Sequence, residues 1–214
     1  MIALIDADIV AFRCAASCDT PEFDFNAQEI AILRTDKLMQ DICYMSSSDS
    51  YKAFLTGPRN FRKKLNPEYK SQRKDKPVPQ YLQACKEYLI NNWNAELCVG
   101  YEADDALGMN QTDNSIICTI DKDLDMIPGL HFNWVKNEIY TVSEVDGLRH
   151  FYKQLLIGDR ADNIFGINGI GPKKAEKLID PLDFEEDMYQ VVRDLYDDDK
   201  RLCMNMECLW IWRN

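Results

Sequence analysis

The residues best placed to do chemistry are carboxylates standing at the ends of apolar runs. Asp6 closes Ile2-Ala3-Leu4-Ile5; Glu102, Asp104 and Asp105 follow Cys98-Val99-Gly100-Tyr101; Asp121 and Asp123 follow Ser115–Ile120; Asp159 and Asp162 follow Leu155-Leu156-Ile157. Ligands of a parallel sheet bind outside the carboxyl ends of its strands, which would bring Asp6 and Asp121 to one edge. Glu102 and Asp104 are two apart and would face opposite sides of a regular helix, so they share a site only if Glu102 precedes the first turn. Asp159 and Asp162, three apart, could share a helix face. Crowded carboxylates raise one another's pKa, and a divalent cation removes the conflict. All-oxygen ligation favours Mg²⁺ or Mn²⁺ over zinc. Any one of these residues could simply cap a helix; it is the ordered set that points to metal.

A second constellation is basic. Between Arg59 and Lys76 eight cations, among them Arg62, Lys63, Lys64, Lys70 and Arg73, meet only Glu68 and Asp75, inside a chain of net charge −11. Phe61 and Tyr69 interleave with them, the pattern of a surface on which aromatics stack on bases while cations hold phosphates. A third is Gly166-Ile167-Asn168-Gly169-Ile170-Gly171, followed by Pro172, Lys173 and Lys174. Glycines admit a close ligand, and a helix starting at Pro172 offers free N–H groups to phosphate.

The elements that must position these groups alternate. Ile2–Ile5 reads as a buried strand and Glu29–Leu33 as a second; Asp36 caps a helix over Lys37–Met45. Tyr51–Leu55 is a strand stopped by Gly57-Pro58, and Pro79 opens a helix to Trp93. Ala103–Met109 is helix, Ser115–Ile120 strand, Leu124–Ile127 a turn, and Phe132–Val135 with Ile139–Val142 a hairpin. A helix begins at Ser143 and ends near Gly158. The alternation predicts an α/β fold with a mainly parallel sheet flanked by helices. With 214 residues and 46% hydrophobic content the chain suits one compact unit, and its longest apolar runs are too short for a membrane span. A cytoplasmic, reduced setting is expected, because the N-terminus lacks a basic segment and the cysteines lie among apolar neighbours. His131 and His150 lack ligand spacing and read as structural, and no Ser–His–Asp or Cys–His arrangement is apparent.

Tyr101-Glu102-Ala103-Asp104-Asp105, Thr119-Ile120-Asp121-Lys122-Asp123-Leu124, and Gly158-Asp159-Arg160-Ala161-Asp162-Asn163 with its glycine turn, taken in order, resemble the 5′-nuclease family. That family comprises flap endonucleases, the 5′-nuclease domains of bacterial DNA polymerases I and phage 5′→3′ exonucleases. Pro67-Glu68-Tyr69-Lys70-Ser71-Gln72-Arg73 resembles its P-x-Y-K-x-x-R stretch, and the short chain is most similar to podovirus-type phage exonucleases. The resemblance implies a PIN/resolvase-like core over 1–157. Residues 158–214 would form a helix–three-turn–helix and a C-terminal helical extension.

It also implies hydrolysis of duplex DNA from 5′ ends, with flap-endonuclease and RNase H-like activity on RNA–DNA hybrids as extensions, by a monomer using two Mg²⁺ or Mn²⁺ ions. Asp6, Glu102, Asp104, Asp105, Asp121, Asp123, Asp159 and Asp162 match the metal ligands, and Lys70 and Arg73 the catalytic phosphate contacts. Arg62, Lys63, Lys64, Gly166, Gly169, Gly171, Lys173 and Lys174 fall on the DNA-binding parts, where the family's helix–three-turn–helix often holds K⁺. Asp8 would be a cap or an outer ligand. One departure stands out: many relatives have an aspartate at the end of the strand before the basic window, where this chain has Leu55-Thr56. A PIN-type ribonuclease and a non-catalytic DNA-binding protein remain alternative readings at this point.

Overall fold

The computed structural model describes residues 1–19 and 26–213, with backbone alone at 74 and 75. Six strands, β1 (Ile2–Asp6), β2 (Ser50–Thr56), β3 (Glu96–Cys98), β4 (Ser115–Cys118), β5 (Gly129–Asn133) and β6 (Glu138–Val142), pair in the order β3-β2-β1-β4-β5-β6. All neighbours are parallel except β5 and β6, the expected hairpin. β1 lies between β2 and β4, so the chain leaves its end in one direction and returns on the other side. That is the switch point at which an open sheet forms a ligand crevice.

Alternate residues of β1 serve two cores. Ala3 and Ile5 pack with Val10, Met39, Ile42 and Leu89 of α1 (Ala7–Ala16), α2 (Ala27–Met45) and α4 (Leu82–Trp93). Leu4 faces the opposite layer, with α5 (Ala103–Asn110), α6 (Glu144–Ile157), α7 (Pro172–Ile179), α8 (Glu185–Leu195) and α9 (Asp199–Leu209). Burial on both faces explains why β1 and β4 read as unbroken apolar runs. A short helix α3 (Arg62–Leu65) and a 3₁₀ turn (Ser71–Asp75) carry the basic window. Among the described residues no helix is long and apolar enough to cross a membrane.

Two expectations are corrected. Glu29–Leu33 is not a strand but lies within α2, because Ala27, Ala31, Thr35, Met39 and Ile42 form one continuous buried face. A five-residue apolar run fits either period, and the helical repeat beyond it decides. Asp36 is therefore mid-helix; its carboxylate accepts from Gln40, Tyr88 and Trp93 instead of capping.

Candidate active site

The carboxyl edge of the sheet gathers the acidic residues. Asp6, 2% exposed, accepts from Ile9 N at the start of α1 and from Thr119 Oγ1 at 2.9 Å. Burial, followed by Asp8, pushes its carboxyl up to about 7. Glu102 is the extended N-cap of α5, ahead of the first turn, and Asp104 follows inside it. Burial first, then Asp6 and Glu102, raises Asp104 well above the usual carboxylate range, and no hydrogen bond holds its side chain among the described residues. After β4, Asp121 caps a 3₁₀ turn (Lys122–Met126) by accepting from Asp123 N at 3.0 Å. Burial, with Asp121, Asp159 and Asp162 adding to it, pushes Asp123 up to about 7.

A cavity of about 30 Å³ is lined by Tyr69, Glu102, Asp104, Asp123, Asp159 and Asp162, among others, so the carboxylates of three chain segments face one space. Among the described residues no three side chains close into a finished ligand shell. The arrangement is a set of buried and half-buried like charges around a small space.

The basic stretch enters this edge from outside. Lys70 adopts a left-handed backbone (φ 55°), and its N–H donates to Asp162 O at 2.9 Å. Its ammonium lies 2.5 Å from Glu102 Oε1 and 3.5 Å from Asp162. Burial pulls the Lys70 pKa down, but Glu102 and Asp162 overcome it and hold the group charged. Arg73, half-exposed, donates to Asp162 Oδ1 at 2.7 Å. The Tyr69 hydroxyl is 2.9 Å from Glu102 and 2.8 Å from Asp162, and with one proton to donate it bridges the two.

Several sequence expectations are corrected here. Arg62 is not on a DNA-facing surface: it is 2% exposed and forms a two-pronged pair with Asp105 at 2.6 and 2.8 Å. Asp105, fully buried, is correspondingly not free for a cation; it also accepts from Glu102 N and Trp212 N. Phe61 and Tyr69 are not free to stack on bases, since Phe61 stacks on Trp212 at 4.8 Å and Tyr69 is buried. Asp159 and Asp162 share no helix. Asp159 ends β7 (Gly158–Asp159), paired with β8 (Ile164–Phe165), and accepts from the N–H groups of Ala161 and Asp162.

Lys63, Lys64, Gly169, Gly171, Lys173 and Lys174 are exposed. Gly169 takes φ +78°, whereas Gly166 is needed for close packing, since a Cβ there would lie 2.4 Å from the α6 backbone. Sequence reasoning missed Gln154, whose Nε2 donates to Asp123 Oδ1 at 2.6 Å while its Oε1 is buried without a partner. Its signal was weak, a lone amide inside an apolar helix.

No family model matches the chain. It is 34% identical over 164 residues to DNA polymerase I of Caldicellulosiruptor bescii, covering 64% of this chain and 19% of that protein. It is 32% identical over 137 residues to flap endonuclease Xni of a Shewanella species (strain W3-18-1), covering 56% of this chain and 52% of that one. The chain thus spans about half the flap endonuclease and a fifth of the polymerase. The fold matches that of T5 5′-exonuclease solved with divalent zinc ions, with a TM-score of 0.76 and 18% identity over 97% of this chain and 88% of that one.

The chain is similar in sequence to 5′-nucleases and shares its fold with one of them. Where the resemblance predicts an aspartate after the second strand, this chain places Thr56. Its hydroxyl accepts from Ala103 N at 3.0 Å and so caps α5, and its N–H donates to Asp8 Oδ2 at 2.7 Å. Asp8 is thus the carboxylate beside this position, and it is paired with Lys86.

Proposed function

We propose that this chain is a divalent-metal-dependent 5′→3′ exonuclease and structure-specific 5′ nuclease acting on duplex DNA, with RNA–DNA hybrids as a second substrate. The observation that carries the reading is a division of charge at one sheet edge. Glu102 and Asp162 are met by Lys70 and Arg73, while buried Asp6 and half-buried Asp104 and Asp123 stand among other carboxylates and are held above their ordinary pKa. Crowded carboxylates without an ion-pair partner are the donor chemistry that suits Mg²⁺ or Mn²⁺. Asp6, Asp104, Asp121 and Asp123 would hold the metal, with Asp159 and Asp162 serving a second ion. Bound there, the metal would supply a hydroxide at neutral pH and neutralise charge on the leaving oxygen.

The protein's own groups do the rest. Lys70, held protonated, and Arg73 are paired with Glu102 and Asp162 of the cavity lining and would neutralise the scissile phosphate. Tyr69 keeps Glu102 and Asp162 in register, and Gln154 orients Asp123. The exposed turn at Gly169 and Gly171 with Lys173 and Lys174 holds duplex phosphates remote from the cut, where K⁺ would add to the grip, and Lys63 and Lys64 add a second contact. Support comes also from relatives named flap endonuclease and DNA polymerase I, and from the fold shared with a 5′-exonuclease.

The decisive assay follows 5′-labelled and 3′-labelled duplexes in Mg²⁺ and in EDTA. Short products from the 5′ label in Mg²⁺ alone are expected. Release from the 3′ end, or cleavage that persists in EDTA, would overturn the proposal.

A further inference from the structure

The residues from Cys208 to Arg213 run back across the site they follow in sequence, touching three elements that carry or abut its acidic groups. Arg62 Nε donates to Cys208 O at 2.8 Å and Nη2 to Trp210 O at 2.7 Å, while the same guanidinium grips Asp105. Trp212 N donates to Asp105 Oδ1, and the Trp212 ring stacks on Phe61. The Trp212 carbonyl lies so close to α5 that a Cβ on Gly108 would come within 2.1 Å of it. Arg213 then donates to Met126 O at 2.7 Å, in the turn that presents Asp123.

These contacts oppose a specific force. Asp104 on α5 lines the same small cavity as Asp123, Asp159 and Asp162, and like charges gathered there favour moving the short helix away from the others. α5 has only eight residues, too few to hold its place through helical propensity alone. A buried Arg–carboxylate fork with additional backbone partners is a strong and directional restraint.

We infer that the segment 208–213, working through Arg62 and Asp105, is a positioning strap. It holds the carboxylates of α5 against those of the β4 turn and so sets the affinity for divalent cation. The inference rests on the proposed metal site, but its first readout needs no nuclease activity.

Two variants disturb the strap while leaving every carboxylate in place. Trp212→Ala removes the stacking on Phe61, and Gly108→Ala wedges the Trp212 backbone from α5. Mn²⁺ binding, followed by electron paramagnetic resonance, should weaken about 10-fold in both, the usual cost of losing a group that orients a ligand. Trp212→Phe should restore it, and circular dichroism in EDTA confirms that each variant is folded. On DNA, kcat at limiting Mg²⁺ should fall while KM stays near wild type, and excess cation should recover the rate.

Folded variants that bind Mn²⁺ like wild type would overturn the strap. So would a loss confined to KM. If wild type binds Mn²⁺ but cleaves nothing, the nuclease reading fails while the binding comparison still decides the strap. Should Gly108→Ala not fold, the Trp212→Ala and Trp212→Phe pair decides it.

Discussion

Asp104 and Asp105 are neighbours in the same turn of α5, Asp104 half-buried and Asp105 fully buried, and their surroundings are opposite. Asp105 receives four hydrogen bonds, two of them from the Arg62 guanidinium. Asp104 receives none among the described residues and faces Asp6, Glu102 and Asp121, with only Lys70 to offset them. The same division runs through the whole edge, Glu102 and Asp162 on the matched side, Asp6 and Asp123 on the unmatched side. What separates Asp105 from Asp104 is therefore not residue type or place in a motif. It is whether the fold supplies the counter-charge.

The sharpest break of this comparison exchanges each aspartate for a neutral residue. Asp105→Ala strands the Arg62 guanidinium in the interior and should destabilise the protein by about 3–5 kcal/mol, the cost of halving a buried pair. Asp104→Asn should do the reverse, raising the melting temperature in EDTA by relieving repulsion while lowering the cleavage rate by at least roughly 100-fold. Melting curves and single-turnover rates read both. If Asp105→Ala melts like wild type, or Asp104→Asn cleaves at a normal rate, the two residues do not differ in the way the structure describes.

Much of this edge was legible in the sequence, because acidic residues after apolar runs can be placed once the sheet is known to be parallel. β1, β2, β4, α5, α6 and the β5–β6 hairpin all follow from local period and caps. The assignment of Arg62 and Asp105 was not legible. Arg62 stands next to Lys63 and Lys64, both exposed, and only the tertiary approach of residues 208–212 takes its charge inside. Glu29–Leu33 misled for a related reason: a short apolar run carries no period of its own. Tyr69 was read as a base-stacking ring because its neighbours are cationic, whereas its hydroxyl spans two acids.

Next in size is a pH effect that separates the two classes without mutation. Asp6 and Asp123 ionise at about 7 in the folded chain and near 3.9 when unfolded, so between these values the folded state holds protons the unfolded chain has lost. Stability must then fall as pH rises through that window and level off above about 7. His131 and His150, pulled down by burial, act in the opposite sense, but only below their unfolded value of about 6.5. Melting temperatures in EDTA from pH 6.5 to 8 should therefore decline with pH, less so in Asp123→Asn. Saturating Mg²⁺ competes with those protons and should flatten or reverse the slope. A slope unchanged by Mg²⁺ would mean that the unmatched carboxylates are not where the cation binds.

The smallest expected effect comes from Thr56, which adds to the comparison a place where a carboxylate is missing. Its hydroxyl already accepts from Ala103 N, and the adjacent charge belongs to Asp8, itself bound by Lys86. A neutral hydroxyl is a poorer ligand for a hard cation than an anion, so a site with threonine here should need more Mg²⁺ than one with aspartate. Thr56→Asp keeps an acceptor for the Ala103 N–H and places one more unmatched charge at the edge of α5. It should lower the Mg²⁺ concentration giving half-maximal rate while also lowering the melting temperature in EDTA, because the added anion repels Asp6, Asp8 and Asp104 until a cation is present. Rate against Mg²⁺ and melting in EDTA, taken together, distinguish a ligand from a mere cap. A variant whose metal requirement is unchanged and whose stability is untouched would show that position 56 only caps α5 and that the unmatched set ends at Asp6, Asp104 and Asp123.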